Sequence, residues 1–197
     1  MSNCNDWWLG IQDFWLYPVK GGNDNKSCYH ILNHEKKRIV YVEVAIEKGE
    51  VKNATFYTSE YKEHIYFMLK KQPIYSYILE GNNQEIGLIM NKGSKWECYD
   101  CYGNLVCYVS KTSELLFALK HTFLSIFFNN YPSNIAFNPD SWFRFIAKTN
   151  QTIIGKFFGS ISNLDMNCDV NNMLDKRIAL ATAIILDCKR NAIKAGG

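Results

Sequence analysis

Three groups of side chains in this 197-residue sequence have the chemistry to bind something. The first is rich in oxygen. Asp165, Asp169 and Asp175 share one stretch with Asn163, Asn167, Asn171 and Asn172, and hard oxygen donors at that density suit calcium. The stretch has neither the sixth-position Gly nor the bidentate Glu of an EF-hand loop, and Asn and Asp also gather in turns for purely local reasons. The second group is Cys98, Cys101 and Cys107, which include one C-x-x-C pair. A structural zinc needs four ligands, usually from two such pairs, and no second pair follows. Inert thiols are the simpler expectation. The third group is basic: Lys36, Lys37 and Arg38; Lys70 and Lys71; Lys92 with Lys95; and Lys189 and Arg190 with Lys194. Gathered on one side of a fold, such residues form a footprint for anionic lipid worth about 1 kcal/mol each. Scattered, they are ordinary solvated turn residues.

Catalytic groups do not assemble along the chain. His30, His34, His64 and His121 have no Ser, Cys or Asp partner at a recognisable spacing, although triads form in space and not in sequence. There is no Gly-rich phosphate loop, nucleophile elbow or metal-binding helix. The sequence therefore predicts a non-enzymatic protein with no resident cofactor, calcium being the one ion with a case. A net charge of +3 permits attraction to an anionic surface but is far from the dense basic footprint of a dedicated nucleic-acid binder. Nucleic acid is therefore not the expected partner, and a protein partner stays open.

The elements that must position these residues are mostly strands. Hydrophobic residues make up 47% of the chain and aromatics 15%, enough for one buried core and suited to half-buried pleated surfaces. One unit recurs. Tyr29 to Leu32 and Arg38 to Val44 flank the polar turn Asn33 to Lys37, with Val40, Val42, Val44 and Ile46 on one face. The same pattern returns at Ile74 to Glu80 with Glu85 to Met90, and at Trp96 to Tyr99 with Leu105 to Val109. A fourth copy runs from Trp142 to Ala147 and Thr152 to Phe158. Each reads as a hairpin with Gly, Asn or Asp at the reversal. Many short strands with regular turns predict a sandwich or barrel, and closure removes exposed edges. Val51 to Tyr57 and His64 to Lys70 also favour strand. Leu115 to Phe128 fits helical spacing and strand composition alike, and strand is the expectation there.

The C-terminus changes character. Ile178-Ala-Leu-Ala-Thr-Ala-Ile-Ile-Leu186 is apolar on every side except Thr182, and a helix with no polar face is a buried helix. Ile178, Leu180, Ile184, Ile185 and Leu186 are its core side chains. Nine residues span about 13 Å, too short for a bilayer and the right length to plug a small barrel. Asp175 suits the first turn, and Lys189 and Arg190 the last. No apolar run reaches the roughly 20 residues of a membrane-spanning helix. Seven cysteines and no signal-like opening predict reduced thiols in a cytosolic-type compartment. The aromatic opening (Trp7, Trp8, Leu9, Ile11, Phe14, Trp15 and Leu16) fits either insertion at a membrane interface or packing on the barrel. Packing is the expectation.

Thr152-Ile-Ile-Gly-Lys-Phe-Phe158, the acidic segment with Asp165 and Asp169, and the run from Asp175 through Ile178–Leu186 to Asp187 resemble the closing section of phospholipid scramblases and LURP-one-related proteins. Asp100-Cys-Tyr-Gly-Asn-Leu-Val106 resembles their D-x-x-G hairpins. The likeness is concentrated over residues 140 to 190 and extends to the tubby C-terminal fold. The resemblance implies a mainly β fold: a closed antiparallel barrel of about twelve strands around a central helix at about 173 to 190. It also implies one barrel domain from 28 to 197, with residues 1 to 27 packed on or near it. Functionally it implies an anionic phospholipid or phosphoinositide ligand, or calcium-dependent lipid scrambling. The chain departs from true scramblases, lacking their proline-rich N-terminal region and dense cysteine run. A lipid-associated binding or scaffolding domain, cytoplasmic and peripheral at a membrane, is the expectation. A scramblase, or a protein- or nucleic-acid-contacting module on the same fold, is the alternative.

Overall fold

A computed structural model describes residues 11–19, 25–58, 64–93, 95–111, 142–158, 162–166 and 174–195. Twelve strands follow one another around a closed barrel. They are β1 (Asp13–Val19), β2 (Lys26–Leu32), β3 (Arg38–Glu47), β4 (Glu50–Tyr57), β5 (Ile65–Lys71) and β6 (Tyr75–Glu80). Then come β7 (Glu85–Asn91), β8 (Lys95–Asp100), β9 (Leu105–Lys111), β10 (Trp142–Ala147), β11 (Ile153–Phe158) and β12 (Asn163–Met166), before the helix α1 (Lys176–Ala195). Each strand pairs antiparallel with the next, and β12 closes on β1 through Phe14 opposite Leu164.

The alternation legible in the sequence is the wall of this barrel. In β3, Val40, Val42 and Val44 are buried and point inward, as period-2 geometry requires. The β3–β4 reversal is a two-residue Lys48-Gly49 turn with φ of 52° and 76°. Positive φ at both central residues is the type I′ signature. Phe56 and Phe67 stack inside with ring centroids 3.9 Å apart, an aromatic pair of the kind that adds about 1 kcal/mol beyond its area.

Helix α1 fills the barrel. Ile178, Leu180, Ala181, Ala183 and Ile184 are all 1% exposed or less. Ile185 and Leu186 are buried with them. Thr182, the single polar residue of the run, donates to the Ile178 carbonyl at 2.7 Å, so no hydroxyl is stranded in the core. Gly87 makes room for the helix: a Cβ there would lie 2.8 Å from Ile178 Cδ1 and 2.3 Å from the Tyr99 carbonyl oxygen.

Because consecutive strands alternate in direction, the barrel has two distinct mouths. The helix enters through one. There the Asp175 carboxylate accepts the Arg177 backbone N–H at 2.9 Å, and Lys176 Nζ donates to the Ile11 carbonyl at 2.8 Å. The helix leaves through the other, where buried Asp187 accepts from Ser162 Oγ at 2.8 Å and Asn191 Nδ2 at 3.1 Å. Beside it Tyr29 Oη and Cys188 Sγ lie 3.3 Å apart. Burial raises the phenol well above its ordinary value and pushes the Cys188 thiol up to about 11. Both stay neutral at physiological pH.

Three expectations change. Residues 13–19 do not merely pack on the barrel; they are a stave of it, with Phe14 and Leu16 inward, and the boundary set at 27 falls inside β2. The helix runs from Lys176 to Ala195, not from 173 to 190. Asn163–Met166, which falls in the acidic segment before the helix, is the closing strand β12. Leu115 to Phe128 and Trp7 to Leu9 lie outside the described residues.

Candidate functional site

The barrel wall brings together basic residues that are far apart in sequence. Turns after even-numbered strands stand at the entry mouth, and those after odd-numbered strands at the exit mouth. Lys36, Lys37 and Arg38 therefore sit at the entry mouth. Lys71, Lys92, Lys95 and Lys189 sit at the exit mouth. The four clusters do not share one side, and the first is separated from the rest by the length of the barrel.

The pleat also divides Lys70 from Lys71. Phe67, Leu69 and Lys71 follow the inward parity of β5. Lys71 consequently reaches into the rim of the exit mouth, while Lys70 stands on the outer wall, 3.5 Å from Asn83 Oδ1 in the opposite direction. Lys36 adopts a left-handed backbone with φ of 62° and lies over the Trp15 ring, 3.0 Å from its centroid. That cation is engaged with an aromatic face of its own chain. Arg190 lies on the helix, its side chain outside the described set.

At the exit mouth a cavity of about 420 Å³ opens between α1 and the rim of β4 to β8. Ile185 and Lys189 line it from the helix, one turn apart on the same face. Lys71, Glu50, Tyr75 and Trp96 face it from the wall. Lys189 Nζ is 5.9 Å from the centre of the Trp96 ring. The rim beside Lys71 is apolar: Pro73 also lines the cavity, and its neighbour Ile74 is 67% exposed. Two ammonium groups, a tryptophan and an exposed isoleucine at one mouth form an amphipathic surface.

Glu50 lines the cavity with the two cations. Its carboxylate accepts a hydrogen bond from Lys71 Nζ, and that bond, with the charge of Lys71 and a contribution from Lys189, holds its pKa below the usual carboxylate value. The Glu50 side chain is 68% exposed and that of Lys71 36%. An ion pair this open to water contributes only about 0–1 kcal/mol, so it is easily exchanged. Directly opposite Glu50 across the turn, Glu47 pairs instead with Lys52 at 2.8 Å.

The calcium expectation finds a different arrangement. Asp175 is outside the helix and caps it, and its two oxygens are also held by the Arg177 guanidinium, which reaches on to Glu80 at 2.9 Å. The guanidinium already fills the place of a cation. Asp165 is exposed on β12, opposite Lys156 and Asp13 in the sheet register. Asp169 lies outside the described residues. Among the described residues no group of three His, Cys, Asp or Glu side chains is placed to hold a metal. The C-x-x-C pair is divided as well. Cys98 faces inward opposite Cys107, whereas Cys101 is exposed in the β8–β9 turn.

Sequence reasoning singled out Lys71 and Lys189 and missed Glu50, Trp96 and Ile74. The Lys48-Gly49 turn could have placed Glu50 at a rim. Only closure of the barrel shows that this rim meets the end of the helix.

Comparison with solved structures finds the same architecture elsewhere. The chain superposes on the X-ray structure of a protein from Arabidopsis thaliana with a TM-score of 0.52 and 8% sequence identity, covering 90% of this chain and 91% of that one. At that identity the likeness concerns the fold. No protein-family model matches the sequence, and no curated protein matches it. No described helix is long and apolar enough to cross a membrane.

Proposed function

We propose that this protein is a non-enzymatic binding domain that docks the exit mouth of its barrel against anionic phospholipid or phosphoinositide headgroups, peripherally and from the cytoplasmic side. One observation carries the reading: Lys71 and Lys189, separated by most of the chain, line one cavity beside Trp96 and the exposed Ile74. Each lysine near an anionic surface contributes about 1 kcal/mol. Transfer of an isoleucine side chain out of water adds roughly 2 kcal/mol. Tryptophan favours the headgroup zone that such docking would reach. The sum suits reversible association, the regime in which a basic surface and an apolar anchor act together.

The test is co-sedimentation with phosphatidylcholine vesicles, with and without added phosphatidylserine or phosphoinositide, each with and without calcium. Binding that requires the anionic lipid, weakens with salt and ignores calcium is the expected result. Binding only with calcium would favour the scramblase-type alternative and return attention to Asp165 and Asp169. No binding under any condition would refute the lipid reading and favour a protein partner.

A further inference from the structure

Resting on that reading, we infer that the Glu50 carboxylate occupies the anion position of the exit-mouth site, acting as an intramolecular competitor that a headgroup phosphate must displace from Lys71. Glu50 opens β4 directly after the tight Lys48-Gly49 turn, and that turn fixes where its side chain emerges. From there its oxygen reaches Lys71 Nζ on the next strand of the wall. The pair lines the same cavity as Lys189. A carboxylate and a phosphate present the same kind of acceptor to an ammonium, so the place held by Glu50 is one that a phosphate oxygen would take.

The exchange is feasible because of where the parts lie. The Glu50 side chain is itself more than half in water and is held at the rim by Lys71, so it can swing outward without disturbing the barrel. Lys71 is attached to a strand whose neighbouring inward residues, Phe67 and Leu69, are fully buried, so its backbone keeps the ammonium within reach of the mouth when its partner leaves. Lys189 lines the same cavity, so a lipid phosphate that takes Glu50's place on Lys71 meets a second ammonium there. Net affinity is the headgroup's attraction minus the cost of freeing Lys71.

Glu50→Gln removes the competing charge and keeps the shape. Glu47→Gln makes the same change in net charge on the same turn, but Glu47 is hydrogen-bonded to Lys52 and meets Lys71 only through its charge, as the smallest of its interactions. All three side chains to be changed are exposed, and thermal melting checks that each variant folds. Against vesicles of phosphatidylcholine with phosphatidylinositol bisphosphate, Glu50→Gln should bind about two- to fivefold tighter than wild type, the range expected for one exposed ion pair. Glu47→Gln should differ by less than about half that change. In a Lys71→Met background the Glu50→Gln gain should vanish, since the competition runs through Lys71. Wild-type binding with no gain in Glu50→Gln would overturn the inference and leave the lipid reading standing. So would an equal gain in Glu47→Gln, or a gain that persists without Lys71. Absence of binding by both wild type and Glu50→Gln would overturn the two together.

Discussion

Replacing Ile184 by alanine tests whether the helix is the core of the barrel or an accessory to it. The side chain is fully buried in the middle of α1. Truncation of such an isoleucine removes its packing and leaves a cavity, at a cost of about 2–5 kcal/mol. The better helix propensity of alanine returns only a few tenths. A domain of this size has about 5–15 kcal/mol of stability, so the variant should fold and be measurably weaker. With a urea slope of about 1–3 kcal/mol per molar, the unfolding midpoint should fall by roughly 1–2 M. Ile184→Asp should go further and leave no folded protein, because it strands a carboxylate in the apolar interior. Equilibrium urea unfolding followed by tryptophan fluorescence reads both. A midpoint shift for Ile184→Ala below about 0.3 M, a small fraction of that expectation, would refute the claim that α1 is the packed centre of the fold.

Gly87→Ala should destabilise by about 1–3 kcal/mol in the same assay, since its Cβ meets the Tyr99 carbonyl and Ile178; a neutral variant would mean that the wall and helix are not in close contact there. Asp175→Ala removes the helix cap and one partner of Arg177, and should cost about 1–2 kcal/mol; adding calcium should not change the stability of wild type through this residue. Asp100 is slightly desolvated, which raises its pKa, but hydrogen bonds from the side chain and backbone of Asn104 and the backbone of Tyr102 win and lower it. A lowered folded pKa stabilises fully above the unfolded value and the contribution fades as pH falls through the folded one. NMR titration should therefore place the Asp100 midpoint below the usual 3.8, and a midpoint above it would contradict the turn geometry.

How much of this was legible in the sequence depended on how local each feature is. The four hairpins carry their own alternation and turn residues, so Val40, Val42 and Val44 announce an inward face before any partner is known. The run from Ile178 to Leu186 has no polar side, and burial is the only way to satisfy it. β12 is different. It has four residues, Asn163 to Met166, too few to show a period, and its strand identity comes from pairing with Phe14 and Trp15 across the seam. The lysine clusters were visible as charge, but their sides were not. Adjacent Lys70 and Lys71 point to opposite faces of one strand, and Lys71 meets Lys189 only because the wall closes around the helix. Asp175 looked like a ligand because the residue that occupies it, Arg177, is two positions away and already supplies the positive charge.

The most direct test of the account compares the two mouths. A Lys71→Ala/Lys189→Ala variant and a Lys36→Ala/Lys37→Ala/Arg38→Ala variant should be measured beside wild type on the same phosphoinositide-containing vesicles. Loss of two lysines at the docking mouth should weaken binding about 30-fold, from about 1 kcal/mol each. Loss of three cations at the far mouth should weaken it by less than about threefold, the residue of long-range attraction. Equal losses, or a larger loss at the Lys36–Arg38 mouth, would contradict docking through the end where the helix emerges.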